Sequence, residues 1–190
     1  MATGTNTATN VSVGKPAVAG GIYRAPLGTT LPTDASTSLA SAFVSLGYIA
    51  EGGVTNSISM TSDTYKAWGG AIVNTIQTDK TDTFAFGLIE VLNPDVLSTV
   101  YGASNVSGTL ASGITVKANA NELDEYVYVI EQVMRNNAVK RIVIPDGKIS
   151  EIGDVVYSDT ETIVYPITIT AQAGSDGDTH KEYILRSAST

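Results

Sequence analysis

The residues best suited to catalysis are few in this sequence. It contains one histidine, His180, and no cysteine. Without cysteine there are no disulfides, thiolate metal sites or cysteine nucleophiles. A Ser-His-Asp triad would need His180, but the Gly-x-Ser-x-Gly turn that presents the serine in α/β-hydrolases is absent. His180 follows an acidic turn and precedes Lys181, so we expect a solvated turn residue there.

Closely spaced carboxylates could serve as an acid and base pair or as cation ligands. Asp79 and Asp82 flank two residues between predicted strands, where a solvated hairpin turn is the default. Asp176 and Asp178 flank Gly177, which is similar to a fragment of a calcium loop, but the later Glu of that loop is missing. An Asp-Gly step between β segments favours a turn. We therefore predict no catalytic residue, metal or cofactor, and a protein that is not an enzyme.

Composition limits the possible partners. The chain has 190 residues, of which 43% are hydrophobic and only 16% are charged, with a net charge of −8. An acidic chain is poorly suited to gripping nucleic acid, because that binding requires cations against phosphates. So few charges indicate a surface that partners cover in part. The polar first ten residues are unlike a signal peptide, and we expect a soluble protein made in the cytoplasm, with no membrane partner.

Period-2 alternation predicts that the chain is mainly β. Turn signals separate roughly eight to ten strands at the spacing typical of a sandwich or barrel. A tight turn is expected near Asn136 and Asn137, and another at 175–178. The clearest predicted strands lie in the segments 54–60, 72–77, 84–89, 126–134, 139–144, 163–170 and 181–186.

One helix is well marked, at about residues 94–101. Asn93 suits the N-cap, Pro94 the first helical position, and Gly102 the end of the helix. Val96, Leu97 and Val100 would form its apolar stripe. A second, weaker helix is predicted from Asp34 to about Val44.

The N-terminal stretch differs in composition from the rest of the chain. It is rich in Thr, Ala, Asn and Gly, and it carries apolar residues that a frayed terminus would not need. We therefore predict an arm over residues 1–21 that orders against a neighbouring subunit, followed by a β-sandwich core over residues 22–190. Together they would form one domain spanning residues 1–190. A plain frayed terminus is the alternative interpretation.

Several short motifs occur in an order that resembles a known family. They are the segment from Leu46 to Thr55, the segment from Tyr65 to Gly70, the helix from Asn93 to Tyr101, Ile152 to Val155, and Tyr183. Over about residues 11–186 the chain resembles the major tail tube proteins of bacteriophages with long non-contractile tails. The resemblance rests on the order of these motifs along the chain.

The resemblance implies a tail-tube-type β-sandwich or barrel with one flanking helix. It implies hexameric rings, stacked into a hollow tube through which genomic DNA passes to the host. One sheet from each of six subunits would close into an inner barrel. An N-terminal arm over residues 2–21 and a long early loop within residues 46–70 would reach the adjacent ring.

The resemblance also implies partners, a location and site residues. The expected partners are further copies of the chain and the tape measure, tail-tip and tail terminator proteins. The expected location is the virion tail, with the host cytoplasm during assembly. The predicted inter-ring contacts are Val11, Val13, Ile22, Tyr23, Glu51 and Trp68. The predicted acids of the lumen, where negative charge would repel phosphate, are Asp79, Asp82, Glu90 and Glu131.

Two other classes of protein fit the composition. A head decoration protein, a pilin-like subunit or an adhesin domain would be equally rich in strands and poor in charge. A small β-fold hydrolase or sugar-binding domain would need convergent acids or exposed aromatics in a cleft, and the sequence nominates none. An assembled tube of constant bore would separate the tube protein from both classes.

Overall fold

The computed structural model describes residues 6–17 and 21–186. Within them the chain is mainly β, with a single α-helix, as the alternation predicted. Eleven strands are described. They are β1 Gly14–Pro16, β2 Ile22–Pro26, β3 Val44–Ser45, β4 Ile49–Lys66, β5 Ile72–Leu88, β6 Val106–Thr109, β7 Gly113–Val116, β8 Tyr126–Met134, β9 Ala138–Ile152, β10 Tyr165–Gln172 and β11 Lys181–Arg186.

One large antiparallel sheet has the strand order β3-β2-β8-β9-β10-β5-β4, and β6 pairs with β7 in a separate small sheet. Strand β9 belongs to both halves of the large sheet. Its first half pairs with β8 and β11, and its second half, from Asp146 to Ile152, pairs with β10. Strand β1 adds to the far end of β8. The sheet is therefore continuous through β9.

The core follows directly from the alternation. In β5, Phe84, Phe86 and Leu88 are buried while the residues between them are not. In β10, Ile167 and Ile169 alternate with half-buried threonines in the same way. These side chains form one cluster with residues of β2, β8 and β9. A single core therefore joins both halves of the sheet.

The helix α1, Pro94–Tyr101, has the predicted bounds. The Asn93 side chain accepts a hydrogen bond from the Asp95 N–H at 3.0 Å, which satisfies one free donor of the first turn. Gly102 ends the helix with a φ of 91°, a value that favours glycine. Val96, Leu97 and Val100 are buried in the core cluster, so the predicted apolar stripe is the buried face.

The second predicted helix is wrong. No helix lies within residues 34–44. Instead the Asp34 carboxylate accepts hydrogen bonds from the backbone N–H groups of Ser36 and Thr37, both at 2.6 Å. The Thr37 hydroxyl also donates to this carboxylate, and that bond, followed by the two backbone bonds, holds the pKa of Asp34 well below its usual range. These are the bonds of an N-cap, but the Asp34 carbonyl, which would accept the first bond of a helix, accepts from Arg141 instead.

The early segment expected as a long loop within residues 46–70 is strand for most of its length. Strands β4 and β5, of 18 and 17 residues, pair from Ile49 to the turn after Lys66. Gly69 and Gly70 lie in that turn with φ of 102° and 90°, where a side chain would be strained. The hairpin turn predicted at Asp79 to Asp82 is therefore wrong, because both residues lie inside β5.

The turn between β8 and β9 is confirmed. Asn136 and Asn137 both have positive φ, 58° and 55°. Asparagine tolerates this left-handed conformation better than most residues. The turn at 175–178 is also confirmed, with the Gly177 N–H donating to the Gly174 carbonyl at 3.0 Å.

We predict that Leu97→Ala lowers the free energy of unfolding by about 2–5 kcal/mol, because it leaves a cavity under α1. Leu97 is 5% exposed. Urea denaturation followed by circular dichroism would measure the change. Leu92→Ala, at an exposed position just before the helix, is the matched control and should change stability by less than about 0.5 kcal/mol. Equal losses in the two variants would contradict the packing described here.

Candidate assembly surfaces

Most of the β4–β5 hairpin projects from the body of the subunit. Residues 55–81 are all exposed, and we call this part the free hairpin. Trp68, the only tryptophan, lies fully exposed in its turn. The exposed large apolar side chains of the free hairpin are Ile58, Met60, Tyr65, Trp68, Ile72, Val73 and Ile76. So much apolar surface on a narrow ribbon indicates a partner surface.

A buried carboxylate marks the point where the hairpin leaves the body. Asp82 is 1% exposed. Its oxygens accept hydrogen bonds from the Asn56 amide at 2.7 Å, the Thr179 hydroxyl at 2.7 Å and His180 Nδ1 at 2.5 Å. Asn56 belongs to β4, whereas Thr179 and His180 precede β11. This group, which we call the Asp82 brace, ties the base of the hairpin to the other half of the sheet.

Two opposing effects act on the pKa of Asp82. Burial, the largest single effect, would raise it. The hydrogen bonds from Thr179, Asn56 and His180, together with the charge interaction with His180, outweigh burial and hold the pKa of Asp82 below its usual value. The brace therefore favours the ionised carboxylate.

The expectation of a solvated His180 is wrong. Its ring is part-buried, bonds to Asp82 and packs edge-on against Phe84 with ring centroids 5.2 Å apart. Asp82 and His180 lie 98 residues apart, and no short motif could have indicated their contact.

The four acids predicted for a lumen occupy different environments. Asp82 is buried in its brace and presents no charge to a surface, which corrects that prediction. Glu131 is in an ion pair with Arg141, at 2.5 Å. Glu90 accepts from the Tyr48 N–H at 2.9 Å and the Asn93 amide at 3.0 Å, which holds the approach to α1. Asp79 alone of the four is exposed on the free hairpin.

The residues predicted for contacts between rings also differ in their exposure. Ile22 is 0% exposed and pairs with Ile130, so it has no surface to offer and that prediction is corrected. Tyr23 is half-buried in β2. The remaining ones, Val11, Val13, Glu51 and Trp68, are exposed.

Glu51 lies in an irregular stretch of β4 beside a cleft. The pairing passes from Ile49 opposite Leu88 to Val54 opposite Phe86, so residues 50–53 bulge out opposite Gly87. The cleft beside this bulge has a volume of about 440 Å³. Lys15 of β1 and Glu131 of β8 also line it. The bulge and the arm strand thus lie on either side of one opening.

No helix among residues 6–17 and 21–186 is long and apolar enough to cross a membrane. In the same residues no cluster of three or more His, Cys, Asp or Glu could hold a metal ion.

A β-rich body with a projecting, apolar hairpin belongs to the class of structural assembly proteins. The sequence model of the family described as phage tail tube protein matches residues 7–189. The chain therefore belongs to the phage tail tube protein family, whose members are structural rather than enzymatic. Membership places the chain in the virion tail and implies self-assembly into a tube together with other tail components.

A comparison with solved structures finds a weaker likeness. The cryo-EM structure of the tube-terminating cap of an anti-feeding prophage is 10% identical, with a TM-score of 0.45 over 94% of this chain and 98% of that chain. A likeness of this degree carries no argument about the chain. No curated protein matches.

We predict that Asp82→Asn reduces the loss of stability on acidification. The pKa of Asp82 is lower in the folded chain than in the unfolded chain. The carboxylate therefore contributes fully to the free energy of unfolding above the unfolded pKa of about 3.9, and this contribution is lost as pH falls through the folded pKa. Removing the charge should lower the free energy of unfolding at neutral pH by about 1–3 kcal/mol, and by less at pH 3. Urea titrations at both pH values would measure this.

Asp79→Asn is the matched control for that experiment, because Asp79 lies three residues away on the exposed part of the same strand. Its free energy of unfolding should equal that of the unmodified protein at both pH values. An Asp82→Asn variant with unchanged stability at neutral pH would show that the brace does not hold the hairpin base.

Proposed function

We propose that the chain assembles into hexameric rings that stack into the hollow phage tail tube, through which genomic DNA passes to the host. The observation that carries this proposal is the free hairpin. A two-stranded ribbon is at best marginally stable alone in water. Its exposed residues make no packed core with the rest of the subunit. A neighbouring copy would supply the missing contacts.

The two faces of the free hairpin differ in chemistry. Residues opposite each other in an antiparallel pair share a face. Met60 lies opposite Lys80, and Lys66 lies opposite Ile72. Since β4 alternates regularly, Ile58, Met60 and Lys66 share one face, which we call the apolar-basic face. Apolar side chains beside cations suit a protein surface that is apolar and acidic.

A second copy offers a surface of that kind. The segment 153–162 carries exposed Asp154, Asp159 and Glu161. Val156 and Tyr157, in the same segment, are large exposed apolar residues. Opposite charges around an apolar centre steer the encounter and determine the register of an interface. In the proposed tube, the apolar-basic face contacts this segment of a neighbouring subunit.

The N-terminal arm, residues 2–21, is the second proposed contact between rings. Its strand β1 adds to β8 through residues 14–16, all of which remain exposed. Val11 and Val13 are exposed too, and the Ser12 hydroxyl accepts from the Arg135 N–H at 2.8 Å. Residues 2–5 and 18–20 of the arm lie outside the described residues. Apolar residues held on a sheet edge are available to a neighbour.

The proposed assembly implies further partners. A tube needs a tape measure protein inside it, tail-tip proteins on which it starts and a terminator on which it ends. DNA would be in transit and not specifically bound, which suits the net charge of −8. Assembly would take place in the host cytoplasm.

Electron microscopy of the purified protein tests the proposal directly. We expect tubes of constant bore with six-fold symmetry, formed alone or on a tail-tip template. The emission of the sole tryptophan, Trp68, should move to shorter wavelengths as tubes form, because the indole leaves water. A protein that stays monomeric at high concentration, even with the tail-tip proteins, would overturn the proposed function.

Trp68→Ala should raise the critical concentration for tube formation by roughly tenfold or more, since buried tryptophans at interfaces often contribute ~2 kcal/mol or more. Sedimentation of tubes across a concentration series would measure it. The stability of the isolated subunit should not change, because Trp68 is fully exposed there. Trp68→Phe, which keeps an aromatic ring, should restore part of the assembly. Unchanged assembly of Trp68→Ala would exclude Trp68 from the contact.

Deletion of residues 2–21 should leave a folded subunit that does not elongate tubes. The described part of this segment contributes no residue to the core cluster. Circular dichroism and urea denaturation would measure folding, and microscopy would measure elongation. Loss of the cooperative unfolding transition would mean that the arm belongs to the fold instead.

A further inference from the structure

One face of the large sheet is lined by hydroxyl side chains. In the half formed by β4, β5, β10 and the second half of β9, buried apolar residues alternate with residues that point away from the core. At residues 55–61 and 79–87 the outward residues are small or acidic and mostly Ser or Thr, and none of the hydroxyl residues is fully buried. Nearer the tip of the hairpin, Tyr65 and Ile76 lie on the same side, with Ile76 opposite Asp63. We call this surface the hydroxyl face. Its members are Thr55, Ser57, Ser59, Thr61, Thr81, Thr83, Ser150, Thr168 and Thr170.

The hydroxyl face is continuous across the four strands. Ser57 lies opposite Thr83, and Thr83 lies opposite Thr170 on its other side. The Thr170 hydroxyl then donates to the Ser150 hydroxyl at 2.9 Å, which reaches β9. The face also continues along the free hairpin, where Ser59 lies opposite Thr81. It therefore extends from the body of the subunit onto the projecting ribbon.

The charges on the free hairpin separate between its two faces. Asp79 lies opposite Thr61 on the hydroxyl face, and Asp63 shares that face because β4 alternates regularly. Lys66 and Lys80 lie on the opposite, apolar-basic face. On the body, Lys148 lies opposite Thr170 on the hydroxyl face.

Lys148 is neutralised by its neighbours. Its ammonium is in ion pairs with Glu122 and, at 3.5 Å, with Glu125. The hydroxyl face thus presents acids without partners, such as Glu151, and its one lysine is already paired within the described residues.

The other half of the sheet does not leave a comparable face open. The outward Arg141 of β9 donates to the Asp34 carbonyl at 2.8 Å, so the segment from Leu27 to Phe43 lies over that half. Ala35 in this segment is buried, and Leu31 with Pro32 lies against Val143. The covering segment thus closes the outward side of this half, whereas the hydroxyl face leaves the outward side of the other half open.

The hydroxyl face is a poor surface for packing another protein. The buried centres of protein interfaces are enriched in aromatic residues and Met and depleted of Ser, Asp and Glu. The apolar-basic face of the same ribbon, with Ile58 and Met60, matches that composition far better. Of the two faces, the apolar-basic one fits a second copy, and the hydroxyl face fits water as far as Thr61 and Asp79. Beyond that point Tyr65 and Ile76 belong with the apolar surface of the hairpin tip.

We propose that the hydroxyl face is the wall of the passage. Bound water and scattered carboxylates on this wall then face a moving polyanion. This inference rests on the proposed tube. A wall without unpaired cations releases no counterions when phosphates approach, so it gains no salt-dependent hold on nucleic acid. Serine and threonine hydroxyls can donate and accept at once, so they keep a water layer between wall and phosphate.

Thiol accessibility tests this assignment, because the chain has no cysteine and one introduced thiol can be followed alone. The reporter is Ser57→Cys on the hydroxyl face, and the matched control is Ser38→Cys, exposed on the covering segment. Assembled tubes of each variant would be treated with N-ethylmaleimide, or with a maleimide carried by a large globular protein. Ser150→Cys, on the body part of the face, serves as a second reporter.

We expect the small reagent to label all three thiols in tubes and the bulky reagent to label only Ser38→Cys. Equal reaction of the bulky reagent with Ser57→Cys and Ser38→Cys would overturn the assignment while leaving the tube intact. Protection of Ser57→Cys and Ser150→Cys from both reagents would also overturn it, because it would bury the face in an interface. Failure of the unmodified chain to form tubes, even with the tail-tip proteins, would instead overturn the proposed function itself.

Discussion

The pairing of β4 with β5 is the constraint on which the rest of the structure depends. In one ladder, whose register shifts at three points, the same two strands supply the core residues Phe84 and Phe86 and then project as the free hairpin. Because side chains alternate along a strand, the register in the core also determines which residues share each face of the ribbon as far as the shift after Thr61. A shift by one residue would exchange the apolar-basic face with the hydroxyl face. The core therefore determines the chemistry of the surface far beyond it.

The Asp82 brace lies at the transition between these two environments. Asp82 is the first buried residue of β5 after the exposed ribbon, and its partners come from β4 and from the residues before β11. A buried carboxylate is costly unless each lone pair is satisfied, so the three donors must arrive together. Hydrogen bonds from separate segments restrict the direction in which the ribbon leaves the body. The brace provides a rigid base for a part of the chain that has no core of its own.

Local signals in the sequence predicted the local structure well. The cap at Asn93, Pro94 and Gly102 gave the bounds of α1, and the Asn136-Asn137 step gave the turn between β8 and β9. At Asp34 the same kind of residue that caps helices holds a turn instead, because the Asp34 carbonyl bonds to Arg141 of the sheet and tertiary packing overrides the local signal. The sequence could not show that Asp79 and Asp82 lie inside one long strand, since turn residues and strand residues occur together there. The contact of Asp82 with His180 depends on tertiary folding alone. Family resemblance gave the fold class, and only the register of the strands separated the two faces of the ribbon.

The shared strand β9 has a consequence for how the subunit folds. One half of the strand pairs with β8 and β11, and the other half pairs with β10. Neither half of the sheet can be completed until β9 is in place. Its partners β8 and β10 are close to it in sequence, but β8 must also pair with β2 and β10 with β5, which lie far back in the chain. Such non-local pairings slow folding, because the entropy of loop closure is lost before the contacts form. The two halves are expected to open as one cooperative unit, with slow hydrogen exchange in both, whereas amides of the free hairpin exchange quickly until assembly protects them.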